Sequence, residues 1–143
     1  MKKILNTLKF AAILLILAGV MISCGEDEIN SLKGTKWKLA GIVDVQTGKL
    51  TELEPKDCEQ CYTLVFETNI LAKGFSCTRY IYVDLSDFRK YVQEAFGEPY
   101  DGDLFSSAVH RTETYSVIAE ELKFFYSDES NKKYCLLFKK IEQ

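Results

Sequence analysis

Residues 112–141 of the chain have the sequence TETYSVIAEELKFFYSDESNKKYCLLFKKI. Aromatic and β-branched residues fill three runs of this stretch, and short polar segments separate the runs. Runs of this kind, bounded by polar turn formers, are typical of β-strands. We therefore predict a terminal β-meander with strands at Thr112–Ala119, Leu122–Tyr126 and Lys133–Ile141, joined by turns at Glu120-Glu121 and Ser127–Asn131.

An alternating segment from Lys36 to Val45 opens the domain. Its period of two predicts a half-buried strand. Lys36, Lys38 and Asp44 lie on the polar face. Gly48 can adopt the positive φ of a tight hairpin, so Gln46–Lys49 is predicted to be a turn. The residues predicted to share the apolar face are Trp37, Leu39, Gly41, Val43 and Val45.

Further strands are predicted in the middle of the chain. Leu50–Leu53 forms a short returning strand, and the segment Cys61–Thr68 forms another with aromatic and β-branched residues. Leu71–Thr78 and Arg79–Val83 are either one long strand or two, with Gly74 a candidate β-bulge.

The segment Leu85–Phe96 is compatible with two structures. Its apolar residues fall at helical spacing, Asp84 or Ser86 could cap the start and Gly97 could end the last turn, but the same segment could also extend the preceding strand. Asp103 could cap a second short helix that runs to Val109. One or two short helices are expected between the middle and last strands.

Most strands follow one another at intervals of about ten residues, which favours an antiparallel all-β fold. We expect a small barrel or barrel-like meander, because closing a sheet removes its exposed edges. The chain shows no internal repeat and no low-complexity tract, so residues 32–143 are predicted to form one domain.

These patterns resemble the lipocalin-like lipoproteins of Gram-negative bacteria. That family opens on a Gly-Thr-x-Trp strand, here Gly34–Trp37, and ends in an aromatic strand pair, here Leu122–Tyr126 and Tyr134–Phe138. The resemblance covers residues 32–141 and implies a lipocalin-like barrel. Leu85–Val109 is an insertion relative to a plain eight-strand meander.

The N-terminus has the features of an export signal. Lys2, Lys3 and Lys9 precede the 13-residue apolar run Phe10–Ile22, which is shorter than the ~20 residues that span a bilayer. The sequence Val20-Met21-Ile22-Ser23-Cys24 resembles the lipobox of bacterial lipoproteins. That resemblance implies that residues 1–23 are a signal peptide, and that Cys24 receives diacylglycerol and an acyl chain such as palmitate. The protein would bind the membrane through this lipid.

An acidic run, Gly25–Glu28, follows the cysteine and resembles the surface-export signals of some Gram-negative lipoproteins. The alternative is a solvated linker. We therefore assign residues 24–31 to an acidic lipidated linker, and expect a cell-envelope protein, lipid-anchored in the outer membrane, with surface exposure as a hypothesis.

Charge excludes one class of partner. Removal of residues 1–23 reduces the basic residues from 18 to 15 against 21 acidic ones, which leaves a net charge of about −6. Proteins that bind nucleic acids use basic patches to neutralise phosphates. No nucleic-acid partner is expected.

Cysteines at positions 58, 61, 77 and 135 remain after Cys24. In an oxidising compartment an even number of cysteines tends to pair, so Cys58, Cys61, Cys77 and Cys135 are candidates for two disulfides with the pairing left open. The Cys58–Cys61 CxxC also matches the spacing of a thioredoxin-like dithiol, but a strand pattern follows it instead of a helix. With a single such pair, we expect no metal site and no cofactor.

Candidate ligand-lining or core residues are aromatic: Trp37, Phe66, Phe124, Tyr126 and Phe138. They could line a cavity for a small hydrophobic ligand or simply fill a small barrel. His110, the only histidine, has no catalytic motif around it. We expect a non-enzymatic domain that binds or interacts with a partner such as an envelope protein. The alternatives are a carrier of a small hydrophobic ligand and a thiol-disulfide oxidoreductase.

Overall fold

The computed structural model of the chain describes residues 31–93 and 97–142. The predictions for the signal peptide, for Cys24 and for the acidic run after it lie outside these residues, as do Ala95 and Phe96. The described elements are β1 Lys36–Asp44, β2 Leu50–Thr51, β3 Thr63–Phe66, β4 Leu71–Phe75, β5 Tyr80–Asp84, α1 Gly102–His110, β6 Thr112–Ile118, β7 Glu121–Ser127 and β8 Lys133–Ile141.

The strands form one antiparallel sheet in the order β5-β4-β3-β1-β8-β7-β6, with β2 paired to the end of β1. This confirms the all-β prediction with one short helix before the last three strands. The sheet curls into a half-barrel. In the part of the chain that the structure describes, β5 and β6 are its two edges and do not pair with each other.

A β-bulge in β1 corrects the predicted alternation. The register with β8 shifts between Leu39 and Gly41, so Leu39 faces Phe138 while Ile42 faces Leu136. One extra residue moves every later side chain to the other face. Trp37 and Leu39 therefore stay on the core face, Ile42 joins them, and the predicted core residues Gly41, Val43 and Val45 lie on the outer face.

The middle strands are shorter than predicted. Tyr62 has a φ of 55°, which ends the extended backbone before β3, and Leu71–Val83 forms two strands, not one. Gly74 is not a bulge, because it pairs in regular register with Leu64 on one side and Ile81 on the other. A Cβ atom there would lie 2.8 Å from the carbonyl oxygen of Thr63, so glycine allows β3 and β4 to approach.

The residues that follow β5 lie beside β6, where residues 85–89 and 112–115 line a common cleft. Residues 85–93 consist of turns, so the helix considered for Leu85–Phe96 is not formed there. The carboxylate of Asp84 accepts a hydrogen bond from the Ser86 amide at 2.9 Å, which starts the first turn. Phe88 and Val92 are buried, and the Phe88 ring contacts Tyr115 on β6 at a centroid distance of 6.4 Å.

Helix α1 begins one residue before the predicted Asp103 and packs against the sheet through Phe105, Ala108 and Val109, which share one helical face. Asp103 does not cap the helix. Its carboxylate instead accepts hydrogen bonds from the Gly97 and Glu98 amides at 3.0 Å each, which ties the preceding loop to the helix.

The core is a chain of aromatic rings in edge-on or tilted contact. Phe88, Phe124 and Phe138 are linked by centroid distances of 5.0 and 5.1 Å, and Phe105 extends the chain from Phe138 to Tyr62 at 6.2 and 5.1 Å. These contacts join the segment 85–93, the sheet and α1. Aromatic pairs of this geometry add about 0.5–1.5 kcal/mol each to the effect of burial.

We expect Phe124→Ala to lower the free energy of unfolding by about 3–5 kcal/mol, because it opens a cavity at the centre of the ring chain. Phe125→Ala is the matched control, since this neighbour lies on the outer face and is only half-buried. Urea unfolding measures both. Equal losses for the two variants would contradict the assignment of Phe124 to the core.

Candidate functional site

The CxxC segment forms a disulfide-closed loop at the start of β3. Cys58 and Cys61 are joined by an S–S bond of 2.07 Å. The ammonium of Lys38 on β1 donates hydrogen bonds to the carbonyl oxygens of both cysteines, at 2.8 Å for Cys58. Burial lowers the pKa of Lys38, while the nearby Glu59 raises it. The loop is thus closed covalently and fastened to the central strand.

The other two cysteines are free thiols, so the structure contains one disulfide among the described residues and not two. Cys77 lies between β4 and β5 and packs against the core, whereas Cys135 on β8 pairs in register with Val43 and Phe125 on the outer face. Thiols on opposite sides of a sheet cannot meet. Burial raises the pKa of Cys135 to about 11. The pKa of Cys77 is also raised, mainly by burial and to a smaller extent by the negative charge of Glu98.

Glu98 is a buried carboxylate that no local sequence pattern indicates. Its oxygens accept hydrogen bonds from the Ser76 hydroxyl at 2.5 and 2.6 Å, and from the amide and hydroxyl of Thr78 at 2.9 Å each. The Cys77 amide adds a longer contact of 3.4 Å. The β4–β5 loop is therefore fixed by one side chain from the loop before α1.

Two opposing effects act on the pKa of Glu98. Burial raises the pKa, but the hydrogen bonds from Ser76, Thr78 and Cys77 together outweigh it and hold the pKa below its ordinary value. The charged form is thus the one that the fold stabilises. The Glu98 carboxylate thus binds the β4–β5 loop of the protein itself, and all the described groups that donate hydrogen bonds to it belong to residues 76–78.

The five aromatic candidates do not surround an open cavity. Trp37, Phe66, Phe124 and Phe138 are at most 1% exposed, and Tyr126 is 7% exposed. The indole N–H of Trp37 donates to the Thr35 hydroxyl at 2.8 Å, while Tyr126 stacks on Tyr134 with a centroid distance of 5.7 Å. Burial raises the pKa of Tyr126 to about 12. Their side chains fill the space between sheet and helix.

An apolar cleft of about 420 Å³ lies instead on the outer face, over β1, β2, β7 and β8. Glu121 and Lys123 flank it. It exists because the bulge in β1 turns Val43 and Val45 outward. The apolar residues that line it are Val43, Val45, Leu50, Phe125, Cys135 and Leu137.

Other candidate chemistry is sparse in residues 31–93 and 97–142. No group of three or more His, Cys, Asp or Glu side chains there could hold a metal ion, and none of the helices described is long and apolar enough to cross a membrane. The Nδ1 atom of His110 lies 2.6 Å from the carbonyl oxygen of Val92, so the ring fastens the segment 85–93 to α1.

Comparison with known proteins finds a relative that aligns with most of the chain. A protein of Tannerella forsythia described as "Putative lipoprotein" is 40% identical over 134 residues, which cover 90% of this chain and 90% of the relative. The chain belongs to this lipoprotein family. No model of a protein family and no solved structure matches it.

The match to the lipoprotein extends beyond the β domain. A span that covers 90% of a 143-residue chain omits only about 15 residues in total. Wherever the span begins, it therefore includes position 24 and part of the apolar run before it. The family relationship applies to the N-terminal segment as well as to the half-barrel.

The lowered pKa of Glu98 predicts a pH-dependent stability. A carboxyl whose pKa is lower in the folded state contributes stability above its unfolded pKa of about 4.3, and this contribution is lost as the pH falls through the folded value. We expect Glu98→Gln to cost about 1–3 kcal/mol at pH 7, since buried donors lose a charged acceptor, and to cost less at pH 3.

Chemical denaturation of both proteins across this pH range makes the comparison. Glu52→Gln is the control, because its carboxylate is exposed and its ion pair with Lys56 spans 3.8 Å at the surface. This control should change stability by less than about 0.5 kcal/mol. A loss for Glu98→Gln that does not depend on pH would argue against the stabilised charged form.

Proposed function

We propose that this protein is an exported lipoprotein, anchored in the outer membrane through lipid on Cys24, whose half-barrel is a non-enzymatic binding or interaction module of the cell envelope. The observation that carries the proposal is the 40% identical lipoprotein, whose alignment includes the cysteine position. The lipobox-like sequence at residues 20–24 supplies the nucleophile that lipid transfer requires, and cleavage between Ser23 and Cys24 releases the mature protein.

The filled interior supports binding at the outer surface. A carrier of a small hydrophobic ligand needs an enclosed apolar space, whereas the rings of Phe105, Phe124 and Phe138 occupy the corresponding region and contact one another. A partner would then meet the outside of the sheet or its rims. We favour an envelope protein over a small ligand for this reason.

The surroundings of the CxxC favour a structural role over redox catalysis. Cys61 is 1% exposed, and the chain continues from it into the turn at Tyr62 and the strand β3. A thioredoxin-like dithiol depends on a helix N-terminus to lower the pKa of its reactive thiol. We therefore propose that the disulfide stabilises the loop that Lys38 fastens to β1.

Lipid anchoring is tested with Cys24→Ser in the full chain, expressed in a Gram-negative host that processes lipoproteins and is fed labelled palmitate. We expect this variant to lose the label and to leave the membrane fraction, because the thiol that carries the lipid is gone. Cys77→Ser, which removes a free thiol of the β domain, should keep both. Label retained in Cys24→Ser would refute the assignment.

A native mass spectrum of residues 25–143, exported without the lipid, tests the filled interior and the single disulfide together. We expect a mass about two units below that of the reduced chain and no bound small molecule, because only Cys58 and Cys61 are joined. A co-purified adduct that persists in buffer would make the domain a carrier instead. A mass four units lower would show a second disulfide.

A further inference from the structure

The N-terminal end of the described chain is fastened to one end of the half-barrel. The Asn69 side-chain oxygen accepts a hydrogen bond from the Lys33 amide at 3.0 Å and another from the Ser31 hydroxyl at 3.5 Å. The Gly34 amide donates to the carbonyl oxygen of Phe66 at 2.8 Å. The chain that connects to Cys24 therefore leaves the domain beside the β3–β4 turn.

The β6–β7 turn and the end of β8 lie at the same end. The Lys140 amide donates to the carbonyl oxygen of Glu120 at 3.0 Å, and Lys36 pairs with Ile141. Thr35 and Glu120 also line a common surface cleft. We name this end the anchor-side rim and define it as residues 31–36, 67–70, 118–120 and 140–142.

Two aliphatic side chains project from this rim. Ile70 in the β3–β4 turn is 47% exposed, and Ile118 at the end of β6 is 67% exposed. Hairpin turns usually carry small or polar residues such as Gly, Asn, Asp and Ser. Ile70 departs from this preference, and Ile118 ends the strand on the other side of the departing chain, so both expose apolar surface at the rim.

The linker limits how far this rim can lie from the lipid. Seven residues lead from Cys24 to Ser31, and each spans at most about 3.6 Å, so the fully extended linker reaches only about 25 Å. The anchor-side rim is the end of the described domain from which the chain leads to Cys24.

The charges of the rim are balanced. The rim contains three lysines and three glutamates, and the linker adds the acidic residues 26–28. Attraction to anionic lipid is therefore weak, and burial of apolar side chains is the remaining source of affinity for a lipid surface. The charged rim residues are Lys33, Lys36, Lys140, Glu67, Glu120 and Glu142.

We infer that the anchor-side rim lies on the lipid surface of the membrane that holds Cys24, with Ile70 and Ile118 inserted among the headgroups. This inference rests on the lipid anchor proposed above. The contact makes the rim a second, non-covalent attachment, and it directs the β1–β2 hairpin at the opposite end away from the membrane.

The test uses the full lipidated chain, reconstituted in phosphatidylcholine vesicles whose acyl chains carry bromine, a quencher of tryptophan fluorescence. Ile70→Trp and Ile118→Trp report contact with lipid. Leu50→Trp is the matched control, because Leu50 is 44% exposed on β2 at the opposite end. Trp37, the single native tryptophan, is 1% exposed and gives a constant background.

We expect quenching of Ile70→Trp and Ile118→Trp to be several-fold greater than that of Leu50→Trp. This difference should persist at high ionic strength in buffers made without bromide salts. Equal, weak quenching of all three variants in protein that still floats with the vesicles would overturn the rim contact and leave the anchor intact. Failure of the unsubstituted protein to float would overturn the anchor, and the rim contact with it.

Discussion

The pairing of β1 with β8 is the constraint on which the rest of the structure depends. It joins the two ends of the domain over the ladder from Lys36↔Ile141 to Asp44↔Tyr134 and places β1 at the centre of the strand order. Strands β3 to β5 build outward on one side, and β7 and β6 on the other. Because so many residues separate the partners, the chain must close a long loop to form this ladder, at a cost in conformational entropy.

The strands of the C-terminal meander could be predicted from sequence because their information is local: Leu122, Phe124 and Tyr126 alternate, and short polar turns bound them. The bulge in β1 could not, since Gly41, Val43 and Val45 continue the apolar series of Trp37 and Leu39. The local sign of the shift is Ile42, an apolar residue on the predicted polar face, and the register with β8 reveals it. Glu98 was missed for a similar reason. Its donors lie about 20 residues away, so no spacing marks it as a buried acceptor.

The bulge also divides the roles of the two faces. Ile42 turns inward and completes the core beside Leu136, while the residues on either side of it turn outward and line the apolar cleft over β8. A packed interior and an outer apolar surface thus have one origin. The exterior binding proposed for this domain would use that surface, whose side chains are held on paired strands.

The distribution of thiols has a consequence for maturation. Partners three residues apart meet far more often than distant ones, so under the proposed export the Cys58–Cys61 bond can form before the sheet is complete. Once β8 has docked, Cys135 is 3% exposed and held as the neutral thiol, which is a poor nucleophile. Cys135 is thereby kept from exchange with the Cys58–Cys61 bond, whereas the partly exposed Cys77 is the free thiol of the described residues that other molecules can reach.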